Sequence, residues 1–250
     1  MSGPLNRTVM WLTWRQMFAK RRLWLSIAFS LAPLVFTLIF KLVADDGDES
    51  RVKFFTGLER EVVIGTVLAL AAVIFGTTAF GGEIDDGTLV YLLVKPVPRW
   101  QIALSKLVVA VCASVAIAIP GIVLPWLVLS GPGVTPDMLF AFFVAAVVGA
   151  LIYCSIFLSL GLMTRRSLVV GLVYVVLVEG MLARSLPGLR SLSVREFASV
   201  VATSLSPAVA PTPASVVTIG TVRVMGTLIA VAATAWAMWK VSRFELAERL

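Results

Sequence analysis

Histidine is absent from this 250-residue chain, and charged side chains are scarce. Asp, Glu, Lys and Arg make up 14% of the residues, whereas they make up about a quarter of a soluble domain. The lack of histidine excludes a Ser-His-Asp triad, histidine metal ligands and histidine proton relays. The G-x-x-x-x-G-K-[ST] pattern that cradles nucleotide phosphates is also missing. The sequence therefore predicts no catalytic residues and no ATPase site in this chain.

Cysteine is nearly absent as well. Cys112 and Cys154 both fall inside apolar runs. Two such residues are too few for a disulfide framework or a zinc site, so the sequence predicts no metal centre and assigns both thiols to packing.

Apolar residues are abundant, at 59% of the chain with a mean hydropathy of +0.98. Several unbroken runs reach about twenty residues, which is enough to cross roughly 30 Å of hydrocarbon. The sequence therefore predicts an all-α polytopic membrane protein forming one domain over residues 1–250. Six spans across the lipid bilayer are predicted, at 24–43, 62–80, 102–129, 138–163, 168–183 and 215–239.

The segments between these spans also carry signals. Trp and Arg residues at 5–22 predict a helix lying in the headgroup layer before the first span. An acidic loop follows that span at 45–49. Pro120 and Pro125 predict a break or kink in the outer end of the third span. Within 184–214, Ser193 and Glu196 have capping-box spacing, which predicts a surface-lying or partly re-entrant helix ending near Leu205.

The basic residues are unevenly distributed among the predicted loops. Most of the 21 Lys and Arg residues lie on the side of the two termini and of the 82–101 and 164–167 connections. Because short cytoplasmic loops are enriched in bases, both termini are predicted to be cytoplasmic. The same distribution accounts for the net charge of +7 without a nucleic-acid partner.

The stretch at 82–106, GEIDDGTLVYLLVKPVPRWQIALSK, is a polar interruption between the second and third spans. Gly87 is suited to end the preceding helix, and Thr88 to cap a short apolar-faced helix that stops before Pro96. The residues of this stretch leave two interpretations open: a docking element for a partner protein, or a connector lying on the membrane.

The residues of this stretch resemble the cytoplasmic signature of ABC-2 type permeases, the membrane subunits of one class of ATP-binding-cassette exporters. The resemblance rests on Glu83-x-x-x-Gly87-Thr88-Leu89, on the Leu and Pro residues after them, and on Arg99 and Lys106. It extends to an N-terminal elbow helix at 5–22, six spans and short extracellular helices before the sixth span. The resemblance implies a coupling helix that docks on a separate ATPase, with a coupling loop at 82–101. The implied docking positions are Glu83, Asp85, Asp86, Gly87, Thr88, Leu89, Leu92, Pro96 and Arg99.

The resemblance also implies how the protein works. Two permease subunits, identical or paralogous, would assemble with two ATPase subunits in the cytoplasmic membrane of a bacterium. The ATPase would bind ATP and Mg²⁺, so this chain would bind no cofactor itself. It would export a hydrophobic or amphipathic substrate.

Two charged residues lie inside predicted spans, where charge is costly. Glu179 lies roughly 16 Å from the cytoplasmic end of the fifth span, and Arg223 roughly 12 Å from the outer end of the sixth. These depths are similar, so the two side chains are predicted to form an intramembrane polar pair. The pairing could be structural, or Arg223 could extend to the outer interface.

Two rival functions remain at this point. A secondary carrier driven by an ion gradient predicts an inverted repeat and central ionisable residues, and no repeat is evident. A non-transporting membrane component of an ABC-type cell-envelope complex would carry the same docking element. An intramembrane enzyme is disfavoured by the lack of histidine and of paired carboxylates within the spans.

Overall fold

A computed structural model describes residues 10–14, 22–43, 47–85, 87, 98–131, 133–164, 166–182, 193–209 and 218–242. Most of these residues are helical. Gly131 and Val134 form an isolated antiparallel β-bridge. Residues 10–14 of the predicted elbow helix are helical. The rest of that element, up to residue 21, lies outside the described residues.

Seven helices occupy the described ranges beyond residue 21, and three of them contain a wider, π-type segment. They are α1 (Arg22–Val43), α2 (Asp48–Leu58, π-type Glu59–Leu68 and Ala69–Asp85), α3 (Arg99–Leu129), α4 (Pro136–Met163), α5 (Ser167–Tyr174 and π-type Val175–Leu182), α6 (Val194–Leu205) and α7 (Ile219–Thr221, π-type Val222–Gly226 and Thr227–Ser242).

Helix α2 begins well before the predicted second span at 62–80. Asp48 and Glu49, predicted to belong to a loop, form its first turn. Carboxylates are favourable there because the helix dipole places partial positive charge at the N-terminus. The continuous helix over Asp48–Ile84 has 37 residues, which is about 55 Å.

Helix α3 runs through Pro120 and Pro125 without ending, so the third span is not broken there; the kink that the prolines equally predict stays a prediction. Its neighbour α1 donates side-chain hydrogen bonds to two carbonyls of α3. The Ser30 hydroxyl donates to the Ile117 carbonyl at 2.6 Å, and the Lys41 ammonium donates to the Val128 carbonyl at 3.3 Å. These two bonds tie α1 to the C-terminal half of α3, the part of the helix that contains both prolines.

Among the described residues, four helices are long and apolar enough to cross a membrane: Asp48–Ile84, Arg99–Leu129, Pro136–Met163 and Ile219–Ser242. Shorter apolar helices occupy Ala28–Val43 and Ser167–Met181, within α1 and α5. The all-helical, membrane-spanning class predicted from composition is confirmed.

Helices α2 and α4 pack closely at the centre of the fold through glycines. A Cβ on Gly161 of α4 would lie 2.7 Å from the Thr77 carbonyl oxygen of α2. At Gly76 of α2, a Cβ would lie 2.8 Å from Cβ of Phe157 on α4. Small residues of this kind let helix backbones approach within a membrane, where association depends on packing.

Helix α6 begins at the predicted capping residue. The Ser193 hydroxyl accepts a hydrogen bond from the Glu196 amide at 3.3 Å, and the helix ends at Leu205. The cap predicted from spacing is confirmed. Its first two turns are buried, so α6 packs against the helical core instead of lying free.

We expect Gly161→Ala to lower the melting temperature of the protein, since the added methyl group meets backbone that cannot move aside. Overpacking of this kind costs about 1–3 kcal/mol. Gly57→Ala is the matched control, because a Cβ at Gly57 meets nothing within 4 Å. It should be neutral or slightly stabilising in a helix. Thermal unfolding in detergent measures both, and equal effects would contradict this packing.

Candidate functional site

The connection between α2 and α3 is described at its two ends. Helix α2 stops at Asp85, and Gly87 follows with a positive φ of 67°. The Gly87 amide donates to the Ile84 carbonyl at 3.3 Å. Glycine adopts this left-handed conformation without steric cost, which explains why the helix stops here. The predicted role of Gly87 in ending the helix is confirmed, and Gly87 itself is exposed.

A buried ion pair joins the two helices beside this connection. The Lys106 ammonium lies 2.7 Å from Oε2 of Glu83, and both side chains are almost fully buried. Lys106 also donates to the Ala79 carbonyl and stands over the Phe80 ring, 4.5 Å from its centroid. The lysine is thus surrounded by groups of α2 that carry negative charge or partial negative charge.

Glu83 is a predicted docking residue, and within the chain its carboxylate pairs with Lys106. Its contact with an ATPase stays a prediction. The physical reason for the pairing is the position of Lys106, about two turns into an apolar helix. An unpaired ammonium there would be strongly destabilising, and Glu83 is the carboxylate that neutralises it.

Arg99, another predicted docking residue, also has partners within the chain. Its guanidinium donates from Nη1 to the Ser242 carbonyl at 2.7 Å and to the Val241 carbonyl at 3.3 Å. Ser242 is the last described residue of α7, and a guanidinium is a strong donor to backbone carbonyls. Arg99 thus ties the start of α3 to the last described turn of α7.

The remaining predicted docking residues are described only in part. Asp85 is the last residue of α2. The side chain of Asp85 and the whole of Asp86, Thr88, Leu89, Leu92 and Pro96 lie outside the described residues. The structure establishes the frame around them: the Glu83–Lys106 ion pair joins α2 to α3, and the Arg99 hydrogen bonds join α3 to α7.

A second polar group lies around the start of α6. Glu179 of α5 is buried and accepts hydrogen bonds from the Ser193 hydroxyl at 2.5 Å and from the Val194 amide at 2.8 Å. Hydrogen bonds from an N-cap and a helix N-terminus to a carboxylate are among the stronger ones in proteins. Glu179 thus fixes the N-terminus of α6 to α5.

The predicted pair between Glu179 and Arg223 is not formed. Arg223 is exposed, and no ion pair among the described residues joins it to Glu179. Similar depth in the membrane was the basis for the prediction. Depth does not specify the direction in which each side chain leaves its helix, and Glu179 faces the start of α6 instead.

Helix α6 is also tied to α2. The Arg195 guanidinium lies 2.7 Å from Oε2 of Glu61, and its aliphatic stem crosses Gly65, where an added Cβ would lie 2.7 Å from Cδ. The sequence prediction missed Lys106, Glu61 and Arg195 as site residues. The signal for Lys106 was present, since it lies within the predicted third span at 102–129, where a lysine requires a counter-charge.

A protein-family model described as ABC-2 family transporter protein matches residues 7–188 of the chain. The matched range includes α1 to α5 and the whole 82–106 stretch. No curated protein matches the chain.

We expect Lys106→Met to be strongly destabilising, by about 3–5 kcal/mol, because it leaves the Glu83 carboxylate buried without a counter-charge. The double variant Glu83→Leu with Lys106→Met should recover much of this loss. Lys53→Met is the matched control, since Lys53 forms an exposed pair with Glu49 and should not shift the melting temperature. Additive losses in the double-mutant cycle would contradict a buried pair.

The two residues of the predicted polar pair should behave differently. Glu179→Ala removes both hydrogen bonds to the α6 N-terminus, a loss of about 1–3 kcal/mol. We therefore expect amide hydrogen exchange in 194–205 to accelerate by roughly ten- to hundredfold. Arg223→Ala should leave that exchange unchanged. Equal acceleration in both variants would instead support the Glu179–Arg223 pair.

Proposed function

The chain belongs to the ABC-2 family of transporter proteins, and on that basis we propose that it is the permease subunit of an ATP-binding-cassette exporter. In this proposal, a separate ATPase binds ATP and Mg²⁺ and docks on the connection between α2 and α3. The exported substrate is hydrophobic or amphipathic. The chain itself performs no chemistry.

The observation that carries the proposal is the mechanical frame around the 82–106 stretch. Glu83–Lys106 fixes the end of α2 to the start of α3, and Arg99 fixes the start of α3 to Val241 and Ser242 of α7. A push on the intervening residues would therefore move three helices together. An independent flexible loop would transmit no such displacement.

Two of these helices extend the displacement across the membrane. Helix α3 has 31 residues, or about 46 Å, and α2 is longer still. In the middle part of α2, Glu61 is paired with Arg195 of α6. We infer that motion entering at Gly87 reaches α6 through α2, which would alter access at the opposite membrane face.

The proposed topology has six spans: α1 to α5 and α7, with α6 between the last two. The described part of α1 has 22 residues, about 33 Å, which is long enough to cross the hydrocarbon. The bias in basic residues supports cytoplasmic termini and a cytoplasmic 82–101 connection. A bacterial cytoplasmic membrane is the proposed location.

A second permease subunit is part of the proposal. Apolar side chains remain exposed along α1, α5 and α7, and only 17% of the most apolar window of α7 is buried. Surfaces of this kind require cover from lipid or from another membrane subunit. We propose a pair of permease subunits, either two copies of this chain or this chain with a paralogue, covered elsewhere by the bilayer.

Affinity purification of the full chain from its native membrane tests the ATPase partnership. We expect an ATPase with a phosphate-binding loop to co-purify. Asp86→Lys should reduce the amount retained by roughly tenfold, because it reverses a charge beside the docking surface. Asp48→Lys is the matched control: it makes the same change at an exposed position at the other end of α2. Equal retention in both variants, or no ATPase with the wild type, would refute the proposal.

A further inference from the structure

Glu59 opens the π-type segment of α2, and it differs from the other glutamates of the helix. Its side chain is fully buried, and neither carboxyl oxygen has a hydrogen-bond partner. No ion pair among the described residues includes it. A buried carboxylate without donors or a counter-charge is among the costliest groups a fold can contain.

The position of Glu59 on α2 explains its surroundings. Residues four apart share a helix face, and the neighbours at that spacing, Phe55 and Val63, are both fully buried in one apolar cluster. That cluster also includes Ile122 of α3 and Phe142 of α4. The face that carries Glu59 is therefore the apolar, water-excluding side of α2.

The charged groups on the packed elements have other partners or positions. Arg60 interacts with Glu61 and Glu196, and Arg195 pairs with Glu61.

Lys41 of α1 donates to the Val128 carbonyl, and Asp137 lies in the first turn of α4. Arg99 and Lys106 of α3 are occupied at the opposite end of that helix. Near the N-terminus of α2, Lys53 pairs with Glu49. Arg51 of α2 lies beside Gly131, which belongs to the connection between α3 and α4.

We propose that Glu59 is a proton-binding site of the membrane domain. In this conformation the side chain carries its proton and is a neutral carboxylic acid, because nothing around it compensates a negative charge. The hydroxyl of Thr56, one turn earlier on the same face, is also buried without a hydrogen-bond partner. A protonated carboxyl can donate a hydrogen bond to such a hydroxyl oxygen after a small side-chain adjustment.

The site has a consequence for the conformational cycle. A glutamate side chain in water is ionised near neutral pH, since its reference pKa is about 4.3. A movement of α2 that admits water to Glu59 therefore releases the proton, and repacking takes one up again. Proton binding thus favours the packed conformation. This inference goes beyond the proposed function and does not depend on the identity of an ATPase or a substrate.

Infrared spectroscopy of the full chain in lipid tests the protonation state directly. In the difference between wild type and Glu59→Gln at about pH 7, we expect the carbonyl stretch of a neutral carboxylic acid. Glu49→Gln, which removes an exposed and paired carboxylate, should instead remove ionised-carboxylate bands. Ionised-carboxylate bands in the Glu59→Gln difference would overturn the proposal.

Thermal stability provides a second measurement. A group that is neutral when folded and ionised when unfolded loses its stabilising effect as the pH rises, by up to tenfold per pH unit in the unfolding equilibrium. Because the unfolded glutamate ionises near pH 4.3, we expect Glu59→Gln and Glu59→Leu to match the wild type at about pH 4 and to become more stable than it as the pH rises through neutral. Severe destabilisation by both variants at neutral pH would show that an ionised carboxylate is required, and would overturn the proposal.

Discussion

The cytoplasmic architecture proposed for this protein depends on neutralising one buried lysine. Lys106 lies about two turns into an apolar helix, where an ammonium group without a partner would oppose folding. Glu83, the Ala79 carbonyl and the Phe80 ring provide its surroundings, and all three belong to α2. The charge therefore specifies which helix lies beside α3, and in which register. A pair of apolar residues would pack as well without specifying either.

Within the 82–106 stretch, the residues that hold the helices together differ from those proposed to contact the ATPase. Glu83 and Arg99 have partners within the chain, so their contribution to an ATPase site would be to hold its frame. Contact with the ATPase is a role proposed for the residues between Gly87 and Pro98, which lie outside the described part of the chain. A coupling element requires both kinds of residue, because a contact surface that is not joined rigidly to the spans cannot move them.

Hydropathy and local spacing were sufficient to predict the helical membrane class, the turn at Gly87 and the cap at Ser193. Each depends on the chain within a few residues. The partners of Glu83, Arg99 and Glu179 could not be predicted, since they depend on how helices pack. Arg99 reaches carbonyls more than a hundred residues away in sequence. The predicted pair of Glu179 with Arg223 used depth alone, and depth leaves the rotation of each helix undetermined.

Three buried glutamates show how a costly residue can be assigned a role. Glu83 neutralises Lys106, and Glu179 accepts two hydrogen bonds from the start of α6. Their cost is offset by contacts that the fold itself provides, so a structural role accounts for both. Glu59 has no such contact. A fold that retains an uncompensated acid gains nothing from it in the packed state, and this is the reason to look for its role in a second conformation, where water can reach it.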